Sequence, residues 1–151
     1  MEDVSQLVAS QYEAYCYPEP VGDLAEPIGR SEFMYGDPSL FSAQLWPEGR
    51  PRADLRILIA GCGTNQAAWF AYTNPGCHVT GIDLSGASLA HERFLQEKHG
   101  LKNLRLFQGD LSTALAVLDE FIAFSTAYIV TLRIGKCMIF QEDSAKLPRQ
   151  C

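Results

Sequence analysis

A glycine-rich turn follows the first long apolar run of this sequence. The run is LRILIA at residues 55–60, and the turn reads Gly61, Cys62, Gly63, Thr64 and Asn65. Two glycines allow a sharp bend and let a ligand approach the backbone, and a helix that begins there would point its free amides at that ligand. The turn could therefore bind phosphate, bind another nucleotide-like cofactor, or simply bend the chain after a buried strand.

Two familiar phosphate-binding patterns do not fit this turn. A phosphate-cradling loop has a lysine followed by serine or threonine soon after the glycines, and no such pair follows here. A dinucleotide fingerprint has a third glycine three residues after the second, where this chain has Gln66. The glutamine side chain would obstruct close helix packing and the approach of a pyrophosphate. A nicotinamide-dependent oxidoreductase is therefore the least favoured reading.

Two further strand ends carry polar residues. Asp83 ends the run HVTGID, twenty residues after Gly63, and Gly109 and Asp110 end the run NLRLFQ. A carboxylate at the position of Asp83 can accept hydrogen bonds from both hydroxyls of a ribose. The alternative is that the aspartate only opens the next helix. Its spacing from the glycine turn favours ribose.

Together these features resemble the class I S-adenosylmethionine-dependent methyltransferases over roughly residues 55–112. ILIAGCGTN matches the glycine motif, GIDLS matches the ribose-binding strand end, and LRLFQGDL matches the adenine-side strand end. The resemblance implies S-adenosylmethionine as the cofactor and an acceptor that the sequence does not name. It implies these cofactor-binding residues: Gly61, Cys62, Gly63, Thr64, Asn65, Asp83, Leu84, Gly109, Asp110 and Leu111.

The resemblance also implies a role for each landmark. The glycine turn meets the amino acid portion of the cofactor, and Asp83 holds the ribose. Asp110 faces the adenine amino group, and the amide of Leu111 points toward a ring nitrogen. Ile59 stands where the family often has an acid, and Asn65 where it often has a third glycine. Only 41 residues follow Asp110, about half of what the family's seven-stranded sheet needs at usual element lengths, so we expect a shortened chain.

The elements that must position these residues follow a βαβ alternation from residue 55 onward. We predict an α/β fold with a Rossmann-like, doubly wound, mostly parallel sheet that is incomplete on its carboxyl side. Residues 1–53 hold six of the eight prolines and are predicted to be an irregular and partly helical lead-in that could cover a cofactor. Residues 54–151 are predicted to be a partial methyltransferase domain, with one or two strands in its last apolar segment.

Caps and periodicity define two helices between these strands. Asn65 is predicted to cap a helix over QAAWFAYT, and Ser85 to cap the next one. In the second helix an apolar stripe is predicted, with four charged residues facing solvent. The stripe comprises Ala87, Ala90, Phe94 and Leu95, and the outward charges are Glu92, Arg93, Glu97 and Lys98.

Composition excludes several classes of function. A formal net charge of -6 would repel a polyphosphate backbone, so nonspecific nucleic-acid binding is not expected. Five cysteines without metal-ligand spacing indicate reduced thiols and no metal site. The amino-terminal residues do not resemble a secretory signal, and the apolar runs are too short for a membrane span. We therefore expect a cytoplasmic protein.

No residue is assigned a catalytic role, because methyl transfer from a sulfonium depends mainly on alignment and on exclusion of water. His78, His91 and His99 are predicted to be surface residues, and Cys62 a small turn residue without a reactive thiol. The shortened chain could have reduced activity or none, and the alternative function is a non-catalytic Rossmann-like fragment that acts through partner binding. The least favoured alternative is the NAD(P)-dependent oxidoreductase. An open sheet edge could also support self-association.

Overall fold

The computed structural model describes residues 18–32, 37–45, 55–109, 127–133 and 136–141. Its strands are β1 (Arg56–Ala60), β2 (His78–Asp83), β3 (Leu104–Gln108), β4 (Ala127–Arg133) and β5 (Lys136–Gln141). Its helices are α1 (Ala25–Gly29), α2 (Pro38–Leu45), α3 (Gln66–Thr73) and α4 (Gly86–His99). Asp110, Leu111 and the predicted helix STALAVLDE lie outside the described residues.

The five strands form one sheet in the order β3-β2-β1-β4-β5. β1 pairs in parallel with both β2 and β4, and β2 pairs in parallel with β3. β5 is antiparallel to β4. Only two residues separate β4 from β5 in the sequence, and a parallel crossover needs a dozen or more. The prediction of a Rossmann-like α/β fold with a mostly parallel sheet is confirmed.

The strand order reverses at β1. From β1 the chain moves outward through β2 to β3, and β4 then lies on the other side of β1. Ala60, the last residue of β1, is paired with Thr131 of β4. In open parallel sheets a crevice forms at such a reversal, outside the carboxyl ends of the strands. The glycine turn begins at the next residue and therefore lies at this crevice.

The centre of the core is β1, whose sequence is apolar at every position after Arg56. Ile57, Leu58 and Ile59 are each fully buried. Because successive strand residues point to opposite faces of a sheet, both faces of β1 are covered. Phe70 of α3 and Leu89 of α4 are also fully buried and belong to the same core cluster.

Gly81 in the middle of β2 permits the close packing of α3 on the sheet. A Cβ at this position would lie 2.7 Å from the Cβ of Ala67, 3.0 Å from Cδ2 of Leu106 and 3.1 Å from Sγ of Cys62. The dinucleotide fingerprint uses a third glycine for this close approach. Here Gln66 occupies that place, and the glycine on the facing strand provides the space instead.

We therefore expect Gly81→Ala to destabilise the protein by about 1 to 3 kcal/mol, the usual range for overpacking a core. The closest atom belongs to the short, rigid side chain of Ala67, so α3 itself must shift. Gly22→Ala is the matched control, since a Cβ there meets nothing within 4 Å. Urea denaturation of both variants checks the prediction. Equal midpoints for the two variants would contradict it.

The buried face of α4 differs from the predicted stripe. Its buried residues are Ser88, Leu89, Glu92 and Leu95. Phe94 is 47% exposed, and Ala90 is also exposed. Of the four predicted stripe residues only Leu95 is buried, and Glu92 faces inward instead of outward. The prediction was wrong because it placed every acid on the solvent side, whereas this acid has hydrogen-bond partners inside the protein.

The amino end of α4 has the predicted cap, and a glycine ends the helix. The Ser85 hydroxyl accepts a hydrogen bond from the amide of Ser88 at 3.1 Å, which makes Ser85 the N-cap. Gly100 follows the helix in the left-handed conformation at φ 62°. A glycine adopts this conformation without the strain that a Cβ would add.

A buried aspartate anchors α2 of the lead-in to α3. Asp37, directly before α2, is fully buried. Its carboxylate accepts five hydrogen bonds from four residues: the amide and hydroxyl of Ser39, the indole of Trp69, the hydroxyl of Thr73 and the amide side chain of Asn74. Three of those residues belong to α3 or directly follow it. α2 is thus fixed to the helix that begins at the glycine turn.

Residues 21–24 of the lead-in lie against α4. The Lys98 ammonium donates to the carbonyl of Gly22 at 2.7 Å and pairs with Asp23 at 2.9 Å. His91 Nε2 lies 2.9 Å from the carbonyl oxygen of Val21. These contacts involve the last two turns of α4. Among the described residues no helix combines the length and apolarity that a membrane crossing requires.

Candidate functional site

The glycine turn has the backbone conformation that its sequence predicts. Gly61 and Gly63 have φ values of 76° and 61°. Residues with a Cβ rarely adopt this backbone conformation. The amides of Gly61 and Cys62 both donate to the carbonyl of Ile82, at 2.7 and 3.1 Å. The turn is therefore held against the end of β2, the strand that carries Asp83.

Asp83 connects the glycine turn to the start of α4. Its Oδ2 accepts the amide of Gly63 at 2.8 Å, and its Oδ1 accepts the amide of Ser85 at 2.8 Å. Each carboxylate oxygen can accept a second hydrogen bond, so these contacts leave acceptor capacity on both. Ser85, not Asp83, caps α4. The aspartate therefore does more than open a helix, because it also bonds the turn twenty residues earlier.

The third strand end meets the second through two hydrogen bonds. The amide of Gly109 donates to the carbonyl of Asp83 at 3.0 Å, and Gln108 Nε2 donates to the carbonyl of Leu84 at 3.1 Å. The structure thus brings eight of the predicted residues to one edge of the sheet: Gly61, Cys62, Gly63, Thr64, Asn65, Asp83, Leu84 and Gly109.

Asn65 stands at the N-cap position of α3, but its side chain makes no capping hydrogen bond. Glu92 of α4 takes that role. Its Oε1 accepts the amide of Ala67 at 2.8 Å, and its Oε2 accepts the amide of Ala68 at 2.7 Å. The prediction of Asn65 as a side-chain cap was therefore wrong, because a carboxyl group from the neighbouring helix satisfies the free amides instead.

Glu92 is fully buried, and burial raises its pKa to about 8, against the opposing effect of the two amide donors. Cys62 lies beside it and is also buried, and burial raises the pKa of the Cys62 thiol well above its usual value. A thiol with a raised pKa is a poor nucleophile at neutral pH. Both groups therefore favour their protonated forms under ordinary conditions.

Two buried acceptor atoms at the glycine turn have no hydrogen-bond partner among the residues that the structure describes. They are Oδ1 of Asn65 and Oε1 of Gln66, and these residues are 4% and 1% exposed. Buried polar atoms usually find a partner, and leaving one unpaired costs about 1 to 3 kcal/mol. The two atoms belong to consecutive residues at the start of α3, so a ligand that brings a hydrogen-bond donor to them would relieve this cost.

The lead-in also reaches the glycine turn. The Thr64 hydroxyl donates to the carbonyl of Pro18 at 2.6 Å, and Asn65 Nδ2 donates to the carbonyl of Glu19 at 3.5 Å. Residues 18 and 19 therefore lie directly against the turn. The lead-in also contains a group of aromatic residues that lie outside the described residues: Tyr12, Tyr15, Tyr17 and Trp46.

The three histidines lie away from the site. His78 is exposed at the amino end of β2, opposite to the carboxyl end where Asp83 lies. His91 contacts Val21, and His99 Nε2 accepts the amide of Leu24 at 3.2 Å. His78 agrees with the surface prediction. His99 does not, because its side chain is only 11% exposed beneath the lead-in.

Sequence reasoning missed Glu92. A usable signal existed, because residue 92 follows Ser88 by four positions and precedes Leu95 by three, which places it on one helix face with them. An acid on that face, next to a strand-turn-helix unit whose first amides need acceptors, is a candidate partner for those amides.

Two comparisons bear on this geometry. The sequence model of the family described as "Methyltransferase domain" matches residues 51–127, about half of the chain. A relative from Pseudanabaena tenuis, described as an uncharacterised phycocyanin operon protein W, is 35% identical over 88 residues. That alignment covers 57% of this chain and 80% of the relative.

Solved structures also match part of the chain. A TehB-like SAM-dependent methyltransferase from Corynebacterium glutamicum is 22% identical with a TM-score of 0.38, covering 72% of this chain and 46% of its own. The N-terminal domain of EvdMO1, solved in the presence of SAH and D-fucose, is 16% identical with a TM-score of 0.42. The match covers 71% of this chain and 60% of that domain. This chain thus spans about half the length of the first structure and three fifths of the second.

The fold and the family match agree with the resemblance of the three strand-end motifs to class I S-adenosylmethionine-dependent methyltransferases. The matched range includes the glycine turn, Asp83, Gly109 and the strands that position them. S-adenosylmethionine is the cofactor that this family uses, as the resemblance implied. The chain belongs to the methyltransferase domain family.

Proposed function

We propose that this chain binds S-adenosylmethionine at the glycine turn and transfers its methyl group to an acceptor that is not yet identified. One observation carries the proposal. The turn lies where the strand order reverses, and the Asp83 carboxylate is hydrogen-bonded to it. In open parallel sheets this is the place where nucleotide ligands bind.

The ribose would be held by Asp83. Its two oxygens are fixed in position by the amides of Gly63 and Ser85, and each retains capacity for another donor. Two neighbouring ribose hydroxyls could donate one hydrogen bond to each oxygen. A carboxylate that is already oriented loses little entropy on binding.

The amino acid end of the cofactor would lie against the glycine turn. This end carries an ammonium group, a hydrogen-bond donor, and the turn offers the unpaired oxygens of Asn65 and Gln66. The ammonium group therefore fits these two acceptors, whereas the carboxylate of the same end needs donors elsewhere in the site. The adenine contacts implied for Asp110 and Leu111 stay a prediction, since both residues lie outside the described part of the chain.

The bound cofactor would supply an electrophilic methyl group on a sulfonium. The protein then has to align an acceptor with that methyl and exclude water. Residues 18 and 19 are placed to help exclude water, because their carbonyls already bond Thr64 and Asn65. None of the three histidines is placed to act as a base, so we assign no catalytic residue. The lead-in would act as a cover.

Calorimetric titration of the protein with S-adenosylmethionine tests this function, with NADH as the control ligand. Asp83→Asn keeps the size of the side chain and removes its charge. We expect it to weaken binding roughly 30-fold to 100-fold, the loss of one or two charge-assisted hydrogen bonds. Circular dichroism checks that the variant is folded.

Failure of the folded wild-type protein to bind S-adenosylmethionine would exclude this function. It would instead favour a non-catalytic fragment that acts through a partner, and the edge strands β3 and β5 would be the surfaces to test for self-association. Equal binding by the wild type and Asp83→Asn would exclude the assigned role of Asp83.

A further inference from the structure

Glu92 is a buried acid that the proposed methyl transfer does not use. It lies on α4, yet its carboxyl group bonds the first turn of the neighbouring helix α3. Its side chain is fully buried. Burying a carboxyl group is costly, so its presence needs a reason beyond filling space.

The amides that Glu92 occupies are the ones an anion would use. The first amides of a helix have no partner within the helix, and phosphate groups bind them in many nucleotide sites. In α3 these include the amides of Ala67 and Ala68. Each already donates to a carboxyl oxygen of Glu92, at 2.8 and 2.7 Å. A phosphate would have to displace the side chain to reach them.

Three of the remaining polar groups around the turn point to a different ligand. Asn65 and Gln66 present unpaired buried oxygens, and Asp83 presents a carboxylate that contacts Gly63. All of these are acceptors. Such acceptors attract the ammonium group of an amino acid end, whereas a pyrophosphate presents only oxygens and has no donor to offer them.

We propose that Glu92 determines cofactor specificity by keeping the start of α3 from phosphate-containing ligands, so that the turn takes a ligand with an amino acid end. This inference rests on the proposed function, since it takes the glycine turn to be the cofactor site. Glu92 does not touch the cofactor. It acts through the amides of Ala67 and Ala68 as a positioning residue.

A pair of ligands with a common adenosine tests the inference. S-Adenosylhomocysteine carries an amino acid beyond its adenosine, and NADH carries a pyrophosphate. Both are titrated into the wild type, Glu92→Ala and Glu92→Gln. The alanine variant frees both amides. The glutamine variant retains the size of the side chain and one acceptor oxygen, and it keeps the test valid if the alanine variant does not fold.

We expect Glu92→Ala to gain roughly tenfold or more in affinity for NADH, the contribution of about one charge-assisted hydrogen bond. Its affinity for S-adenosylhomocysteine should not rise. Glu92→Gln should show a smaller change in the same direction. Inorganic phosphate should compete with NADH in Glu92→Ala and not in the wild type, a result that loss of stability alone would not give.

Leu95→Ala is the matched control, because Leu95 is a buried residue of the same helix. It should lower stability and leave the ratio of the two affinities unchanged. The inference is overturned if a folded Glu92→Ala or Glu92→Gln discriminates between the ligands as the wild type does. A different result would show that the proposed function is wrong: the wild type itself would not bind S-adenosylhomocysteine.

Discussion

Asp37→Ala should destabilise the protein by about 3 to 5 kcal/mol, because it removes several buried hydrogen bonds to one carboxylate at once. The carboxylate accepts five hydrogen bonds in the fully buried space between α2 and α3. Alanine would leave the indole of Trp69 without its acceptor. It would also remove one of the acceptors of the Asn74 side chain, which still donates to the carbonyl of Phe70 at 3.0 Å. The free energy of unfolding of a native protein is usually about 5 to 15 kcal/mol, so the variant should be close to unfolding.

Chemical denaturation followed by tryptophan fluorescence measures this loss, since Trp69 lies in the network. Asp23→Ala is the matched control, because it removes another lead-in aspartate whose partner Lys98 is partly exposed. Exposed ion pairs contribute little, so this control should change the midpoint much less. A loss in Asp37→Ala no larger than in Asp23→Ala would show that the buried network does not stabilise the fold.

The free energy of unfolding should fall as pH rises from about 5 to about 8, because of Glu92. Its pKa is raised from 4.5 to about 8 in the folded protein. Below pH 4.5 the group is protonated in both states, and above pH 8 it is ionised in both. Between these values the unfolded state releases the proton and the folded state keeps it. Stability then falls by up to about 1.4 kcal/mol per pH unit.

Glu92→Gln separates this contribution from the other titrating groups. Glutamine is close in size and does not ionise, so the slope between pH 5 and 8 should be much smaller in the variant. Asp83 and the Cys62 thiol are the titratable groups that face Glu92, and both remain in the variant. Denaturation curves at unit steps of pH give the slopes. Parallel slopes for the two proteins would mean that Glu92 does not carry the pH dependence.

Much of the fold could be predicted from local patterns. Each of these patterns depends on residues that are close in sequence: the apolar run that follows Arg56 in β1, the helix ends at Ser85 and Gly100, and the glycine turn. The position of Asp83 beside the turn could also be predicted, because an acid about 20 residues after a glycine turn is typical of a nucleotide-binding βαβ unit. These signals place the site at the carboxyl ends of the parallel strands.

The rest depends on contacts between residues far apart in sequence. Glu92 looks like a surface acid until α3 is seen to present its amides to it, 24 and 25 residues away. Asp37 looks like a helix cap until Trp69 and Asn74 are brought to it. Gly81 looks like a weak strand residue until Ala67 lies against it. No local pattern carries this information, because each partner comes from another element.

The position of β1 between β2 and β4 has a consequence for how the chain folds during synthesis. Arg56 of β1 pairs with His78, which is synthesised soon afterwards, but also with Ala127, which emerges from the ribosome much later. During that interval the edge of β1 that later pairs with β4 has no partner strand. Pairings between distant residues form slowly, and exposed apolar strand edges aggregate. The nascent chain should therefore be most vulnerable to aggregation, and most dependent on chaperones, between the completion of β3 and the arrival of β4.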